Sequence, residues 1–576
     1  MTLAPHRHAT ASDWLPMWAD TQGDKIAFRV LDDRGDAEAG ALTYAELDAR
    51  ARRVAGALDG ARGERALLMF ASGLDFIVAF FGCLYAGVLP VPVVPPRRGK
   101  LRQSVAAIAA SARPRFVFAP EGGADEIAPQ LAAAATARWL SVDRCADARP
   151  ASPWTPRPED IAFLQYTSGS TSAPKGVMVS HANLRANFEF LRRATGATNA
   201  TVHATWLPLF HDMGLVWNVL EPVFLGASAV LMAPLTFVQR PLAWLRAIGR
   251  YGVGVSGGPN FAFDLLVKHF REEHARGLDL SSWHFCYNAA EPLRAATVDA
   301  FLAIYERFGL SPAALKGGYG MAEATLMISA GPREHRAPTT AASRSGLARR
   351  RLEAPLTDAD AARLVSSGLP DDGERVVIVD PDRRSPLGPQ EVGEIWVSGP
   401  HVAQGYLGDP AATEQTFGAR TIDGEGPFLR TGDLGFLRDG FVYVAGRLKD
   451  VMIVRGQNYY PQDIEKTAEE AHPALRPAFS TAFLVGDDAR LVVAVEVDRD
   501  AAPALAAEEI VGAIRAAVVA EHDLLVGDAV LLKHGALVKT SSGKVQRTLM
   551  RDLYLAGRLD RWEPSAAHPP AVPVAH

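Results

Sequence analysis

Short apolar runs alternate along much of the chain with longer segments whose apolar positions recur at helical spacing. Leu47, Val54 and Leu58 share one helical face, with Thr43 placed as N-cap and Glu46 completing a capping box. Runs at 66–70 and 116–119 read as strands, the second following an Ala-rich helical segment. Residues 76–94 carry no charge and approach the length of a membrane span. Gly82, Gly87, Pro90 and Pro92 break that run, so it predicts a buried helix over 75–86, a turn and a short strand. A helix is expected over 181–193, a strand, glycine turn and helix start over 253–264, and a strand-to-loop transition over 285–292. Further strands are expected at 375–380 and 393–398. The alternation predicts an α/β fold, with parallel sheets covered by helices in layered subdomains.

Gly446-Arg-Leu-Lys-Asp450 marks the expected boundary between a large domain over 1–446 and a small α+β domain over 447–562. The Pro- and Ala-rich stretch 563–576 reads as a flexible tail. Residues 338–370 are less regular, and by composition form an exposed loop or a small add-on.

Composition narrows the class of protein. Of the 576 residues, 48% are hydrophobic and 22% charged, the balance of a soluble globular chain. A net charge of −5 gives no electrostatic case for nucleic acid. Cys83, Cys145 and Cys286 have no metal-ligand spacing and read as buried thiols of a reducing, cytoplasmic compartment. The first residues lack the apolar core of a signal peptide.

The strongest candidate chemistry lies in Tyr166-Thr-Ser-Gly-Ser-Thr-Ser-Ala-Pro-Lys175-Gly, set between two apolar runs. Gly169 and Gly176 permit close backbone approach to an anion, Thr167, Ser168, Ser170 and Thr171 supply hydroxyls, and Lys175 adds a cation. A Walker A loop is excluded, because Pro174 and Gly176 flank the lysine. Several other motifs carry two readings. In Trp206-Leu-Pro-Leu-Phe-His-Asp-Met-Gly214 the histidine and aspartate cap the next helix or face a ligand. The small residues of 253–264 leave room for a ligand or pack tightly. Tyr319, between glycines, is a core ring or one presented flat with little crowding, and Asp433, next to Gly432, could cap a turn. Lys539-Thr-Ser-Ser-Gly-Lys544, taken by itself, reads as a solvated basic loop.

The order and spacing of these motifs resemble the adenylate-forming enzymes. His-Asp-Met-Gly, Ala322-Glu-Ala-Thr325 and Tyr460-Pro-Gln-Asp-Ile-Glu465 resemble the fatty acyl-AMP ligase branch. Residues 338–370 sit where that branch carries its insertion, although Ser367 stands where Cys is commoner. The resemblance implies ATP and Mg²⁺, with Lys544, Glu323 and His211 as catalytic residues and Glu323 and Thr167 as metal ligands. It places Thr167, Ser168, Gly169, Ser170, Thr171, Lys175, Asn288, Ala289, Tyr319, Gly320, Asp433 and Arg447 at the nucleotide. It places His211, Asp212, Met213, Ser256, Gly257, Gly258, Asn260 and Phe261 at the acyl chain, and makes Lys449 the hinge of a mobile C-terminal domain.

The implied activity is adenylation of a medium- or long-chain fatty acid, followed by transfer to the phosphopantetheine thiol of a separate acyl carrier protein. Such carriers serve polyketide, peptide or lipid assembly. Three alternatives stand beside it: an acyl-CoA synthetase, an amino-acid adenylation enzyme, and a non-catalytic acyl or nucleotide sensor. Amino-acid enzymes usually place an acidic residue where Asn260 and Phe261 lie here.

Overall fold

The computed structural model describes residues 10–96, 101–167, 174–454, 457–486, 489–498, 506–522, 524–540 and 544–563. All of the expected tail at 563–576 but its first residue, and the loop residues Ser168, Gly169, Ser170 and Thr171, lie outside the described residues. The chain forms two compact units. The first comprises residues 1–169, 173–341 and 363–444, and the second 170–172, 342–362 and 445–576.

The first unit is built on an eight-stranded sheet in the order Met327–Ala330, Leu315–Gly320, Phe285–Asn288, Val255–Gly258, Val202–Thr205, Ser228–Leu231, Ile26–Leu31, Glu38–Thr43. The inner pairings are parallel, and only the edge strands Met327–Ala330 and Glu38–Thr43 pair antiparallel with their neighbours. Burial of the inner strands on both faces explains their continuous apolar runs. A second sheet, all parallel, orders Leu89–Pro92, Arg65–Leu68, Phe116–Phe118 and Arg138–Leu140. The remaining four-stranded sheet is Arg375–Val379, Gly393–Ser398, Leu429–Arg438 and Phe441–Arg447.

Local signals form as expected. Thr43 and Glu46 make the reciprocal capping box of helix Tyr44–Ala57. The uncharged segment is the buried helix Leu74–Ala86, closed by Gly87 at φ 67° and followed by strand Leu89–Pro92. No helix among the described residues is long and apolar enough to cross a membrane. Fully buried Trp14, Trp217, Trp244 and Trp283 anchor the main core.

The segment expected to be irregular contains regular structure. Strands Thr339–Ser343 and Ala361–Val365 pair as a two-stranded sheet around helix Arg344–Ala348. Its pattern is hard to see because both strands are short and only part of each is buried. Residues 342–362 belong with the second unit, where Ala348 O accepts from Asn458 Nδ2 at 2.8 Å and Arg344 pairs with Glu521 at 3.1 Å.

The core of the second unit is the sheet Leu475–Val485, Arg490–Val497 and Val526–Leu532, packed by helices Pro461–Glu470 and Ala507–His522. Arg547 clasps both oxygens of Glu465 at 2.8 Å and reaches Asp450 Oδ2 at 2.7 Å. Arg547→Ala leaves the buried Glu465 and the largely buried Asp450 carboxylates without their cation. We expect it to destabilise this unit by about 3 kcal/mol, the low end for breaking a buried ion pair, in a denaturant titration.

Candidate active site

The hairpin Ile161–Thr167 and Lys175–Ser180 carries the phosphate-type loop, and Thr167 and Lys175 are direct cross-strand partners at its mouth. Gly176 lies opposite Tyr166, whose ring comes within 2.8 Å of where a Cβ would stand, so this glycine serves cross-strand packing. A strap over residues 403–407 runs beside the second strand. Gln404 N–H donates to Met178 O, Met178 N–H to Gly405 O, and Leu407 N–H to Gly176 O, at 2.8–3.0 Å. At its start, Ala403 N–H donates to Glu323 O at 2.9 Å. Three groups from distant parts of the chain therefore converge: Tyr406 Oη donates to Glu323 Oε1 at 2.9 Å, and Lys175 Nζ stands 4.7 Å from the centre of the Tyr406 ring.

Tyr319 is the penultimate residue of strand Leu315–Gly320 and is buried, its hydroxyl donating to Asp433 Oδ2 at 2.8 Å. Asp433 is not in a capped turn. It lies within strand Leu429–Arg438, just after a kink at Gly432 with φ 70°. Thr431 Oγ1 accepts from Asp433 N–H at 3.1 Å and donates to Ile395 O, which fixes the carboxylate's approach. Gly320 abuts Leu326 O so closely that any side chain there would collide.

Asn288 and Gly258 sit at the carboxyl ends of neighbouring parallel strands, the usual position for ligand contacts in such sheets. Ala289 follows, its N–H donating to Gly258 O at 3.2 Å. Asn260 is the hub of a buried network. Its Oδ1 accepts from Asn288 Nδ2 and Arg294 N–H, while its Nδ2 donates to Asp264 and Thr297, all at 3.1 Å. Phe261 N–H donates to Glu291 Oε1.

At the glycines of this segment, tight packing is what the structure displays. A Cβ on Gly257 would lie 2.1 Å from Tyr287 O, and one on Gly258 2.8 Å from the Trp206 ring. Ser256 is fully buried, its hydroxyl accepting from Trp244 Nε1 at 2.9 Å and donating to Ala204 O at 2.7 Å. Trp206 stacks on Phe237 at 3.9 Å and meets Phe261 edge-on at 5.9 Å.

His211 caps the short helix Asp212–Leu215, its Nδ1 accepting from Met213 N–H at 3.3 Å and lying 2.7 Å from Asp212 Oδ1. Capping is thus a real task of this residue. Met213 is buried and Asp212 partly exposed. Gln165 Nε2 donates to Phe210 O at 3.0 Å, tying this motif to the hairpin.

Arg447, Lys449 and Lys544 belong to the second unit. Arg447 and Lys449 are exposed, and Arg447 O accepts from Asp450 N–H and Val451 N–H in a turn. Lys544 is exposed, and its backbone exchanges hydrogen bonds with Thr540: Lys544 N–H to Oγ1 at 3.0 Å and Thr540 N–H to Lys544 O at 2.7 Å.

Sequence reasoning missed Tyr406, Glu291, Phe237 and Trp244. For Tyr406 a signal existed: Gly405-Tyr-Leu-Gly408 sets an aromatic between glycines, as Gly318-Tyr-Gly320 does. Glu291 lies within the 285–292 transition without having been singled out there, and Phe237 and Trp244 carry no motif of their own.

Two family descriptions match the chain: AMP-binding enzyme over residues 15–407, and Disco-interacting protein 2-like, AMP domain, over 449–563. It is 41% identical over 573 residues to the medium-chain-fatty-acid–[acyl-carrier-protein] ligase JamA of Moorena producens, covering 96% of each chain. It is 34% identical over 593 residues to the long-chain-fatty-acid–AMP ligase FadD32 of Mycolicibacterium smegmatis, covering 94% of each. Among solved structures it is similar to a fatty acyl-adenylate ligase of L. pneumophila in complex with acyl adenylate and pyrophosphate. That match has 35% identity and a TM-score of 0.75, and covers 96% of this chain and 98% of the other. The chain belongs to the AMP-binding, adenylate-forming enzymes, and within them to the fatty acyl-AMP ligases.

Proposed function

We propose that the chain activates a medium- or long-chain fatty acid with ATP and passes the acyl group to the phosphopantetheine thiol of a separate acyl carrier protein. The convergence of Lys175, Tyr406 and Glu323 beside the phosphate-type hairpin carries this reading. A fatty-acid carboxylate oxygen attacks the α-phosphorus of ATP. One P–O bond forms, the bond to the β-phosphate breaks, and acyl-AMP and pyrophosphate result. Both reactants are anions, so the task is positioning and charge neutralisation rather than nucleophilic catalysis by the protein.

The roles divide among the residues described. Lys175, with the hydroxyls of Thr167, Ser168, Ser170 and Thr171 and the backbone at Gly169, holds the departing pyrophosphate. Tyr319 stacks on adenine beside Asn288, Ala289 and Gly320. Asp433 and Arg447 take the ribose hydroxyls, a carboxylate being able to accept from two at once. Lys544 stabilises the charge that develops at the α-phosphate. The acyl chain lies along His211, Asp212, Met213, Ser256, Gly257, Gly258, Asn260 and Phe261, with His211 near the acyl phosphate.

The donor set suits Mg²⁺. Glu323 is a hard oxygen ligand, and among the described residues no three acidic, His or Cys side chains gather into a cage. An ion held by one carboxylate, the Thr167 hydroxyl and substrate phosphates is the arrangement this metal favours. When bound, it neutralises phosphate charge.

Transfer requires the second unit to turn about Lys449, which exposes the acyl-adenylate to the carrier thiol. The buried free thiols Cys83, Cys145 and Cys286 are consistent with a cytoplasmic setting.

Lys544→Ala is expected to lower acyl-AMP formation about 10²–10³-fold while the protein still folds and binds ATP. Formation at the wild-type rate would remove Lys544 from the chemistry. Lys449→Pro should leave acyl-AMP formation intact and block transfer, whereas equal loss of both steps would refute the hinge. With a ladder of fatty acids, acyl-AMP should accumulate in the presence of CoA and be consumed only by a holo-carrier protein. Rapid acyl-CoA formation would assign the chain to the synthetases instead.

A further inference from the structure

Tyr406 is held on every side. Its N–H donates to Thr413 Oγ1 at 2.9 Å, and it bridges to Val177 in the antiparallel sense. Its ring meets Phe417 edge-on at 5.1 Å, and it is 7% exposed. A side chain fixed in this way presents two different chemical surfaces. The hydroxyl donates to Glu323, while the ring face lies under the Lys175 ammonium.

We propose that Tyr406 is a positioning residue of the adenylation site, setting Lys175 and Glu323 at a fixed separation through its ring and its hydroxyl. The inference rests on the assignment of Lys175 to phosphate and Glu323 to the metal. A ring face attracts an ammonium through its quadrupole and leaves the cation's full charge in place. An aspartate or glutamate at 406 would pair with Lys175 and cancel the charge a phosphate needs. Tyr406 avoids this because a phenol is neutral at ordinary pH and spends its one proton on the Glu323 carboxylate. The hydroxyl fixes the Glu323 carboxylate through one oxygen, and a carboxylate has lone pairs for further ligands. Packing alone explains the Phe417 contact, but it does not require a hydroxyl.

Two substitutions separate the surfaces. Tyr406→Phe keeps the ring and deletes the hydroxyl, and Tyr406→Leu deletes both. The dissociation constant of ATP would be measured by calorimetry with magnesium and with a chelator, alongside kcat and KM for acyl-AMP formation. For Tyr406→Phe we expect magnesium-ATP to bind about tenfold more weakly, while chelated ATP binds within about twofold of wild type. For Tyr406→Leu we expect chelated ATP to weaken about fivefold as well.

Wild-type magnesium-ATP affinity in Tyr406→Phe would overturn the hydroxyl's role. Identical behaviour of the two variants would overturn the ring's role. Glu323→Gln separates this inference from the assignment beneath it. If that variant binds magnesium-ATP normally, the metal assignment fails. If it binds weakly while Tyr406→Phe does not, only the role of Tyr406 fails.

Discussion

Backbone hydrogen bonds along residues 403–407 are what the meeting of Lys175, Tyr406 and Glu323 depends on. They lash one short strap to the phosphate-loop strand and to the turn that carries Glu323. Backbone pairing suits this role. Each bond is individually modest, but several in register fix a segment in all directions and exclude water from its flank. Side chains on three separate elements then need little freedom of their own to meet. Without the strap, Lys175 and Glu323 would be ordered only by the ends of their own elements.

The large sheet supplies the second layer of order. Its inner strands are parallel, and the residues expected at the acyl and nucleotide groups cluster where those strands end, at Gly258, Asn288 and Gly320. The chain turns there from extended to helical backbone. Strand ends of this kind commonly carry the ligand contacts of parallel sheets. The glycines on this rim have a packing reason, since Gly257 and Gly320 each lie against a neighbouring carbonyl. Shape on this rim is therefore set by backbone proximity before any side chain contributes.

Legibility in the sequence followed the range of the interactions. The capping box at Thr43 and Glu46, and the glycine that closes Leu74–Ala86, are decided within a few residues and were visible directly. The alternation of strands and helices, and hence the layered α/β fold, was visible for the same reason. The role of Tyr406 was not, because its partners lie 83 and 231 positions away, and the flanking glycines mark an aromatic without saying what it meets. One of the two readings of Asp433 made it a turn cap, because the kink at Gly432 interrupts a long strand without ending it. His211 was read as either a cap or a ligand contact, and the capping half of that reading was legible because capping is a local matter.

The second unit is discontinuous along the chain, since residues 342–362 join it ahead of the bulk at 445–576. Asn458 and Glu521 find partners in that early segment. A gene fusion or recombination event that transplanted only the later stretch would carry a unit with missing pieces. Exchange between relatives would have to move both segments together or replace the early one with a matching counterpart. The fold therefore links the inheritance of a short internal segment to that of a carboxyl-terminal unit encoded about eighty codons further on.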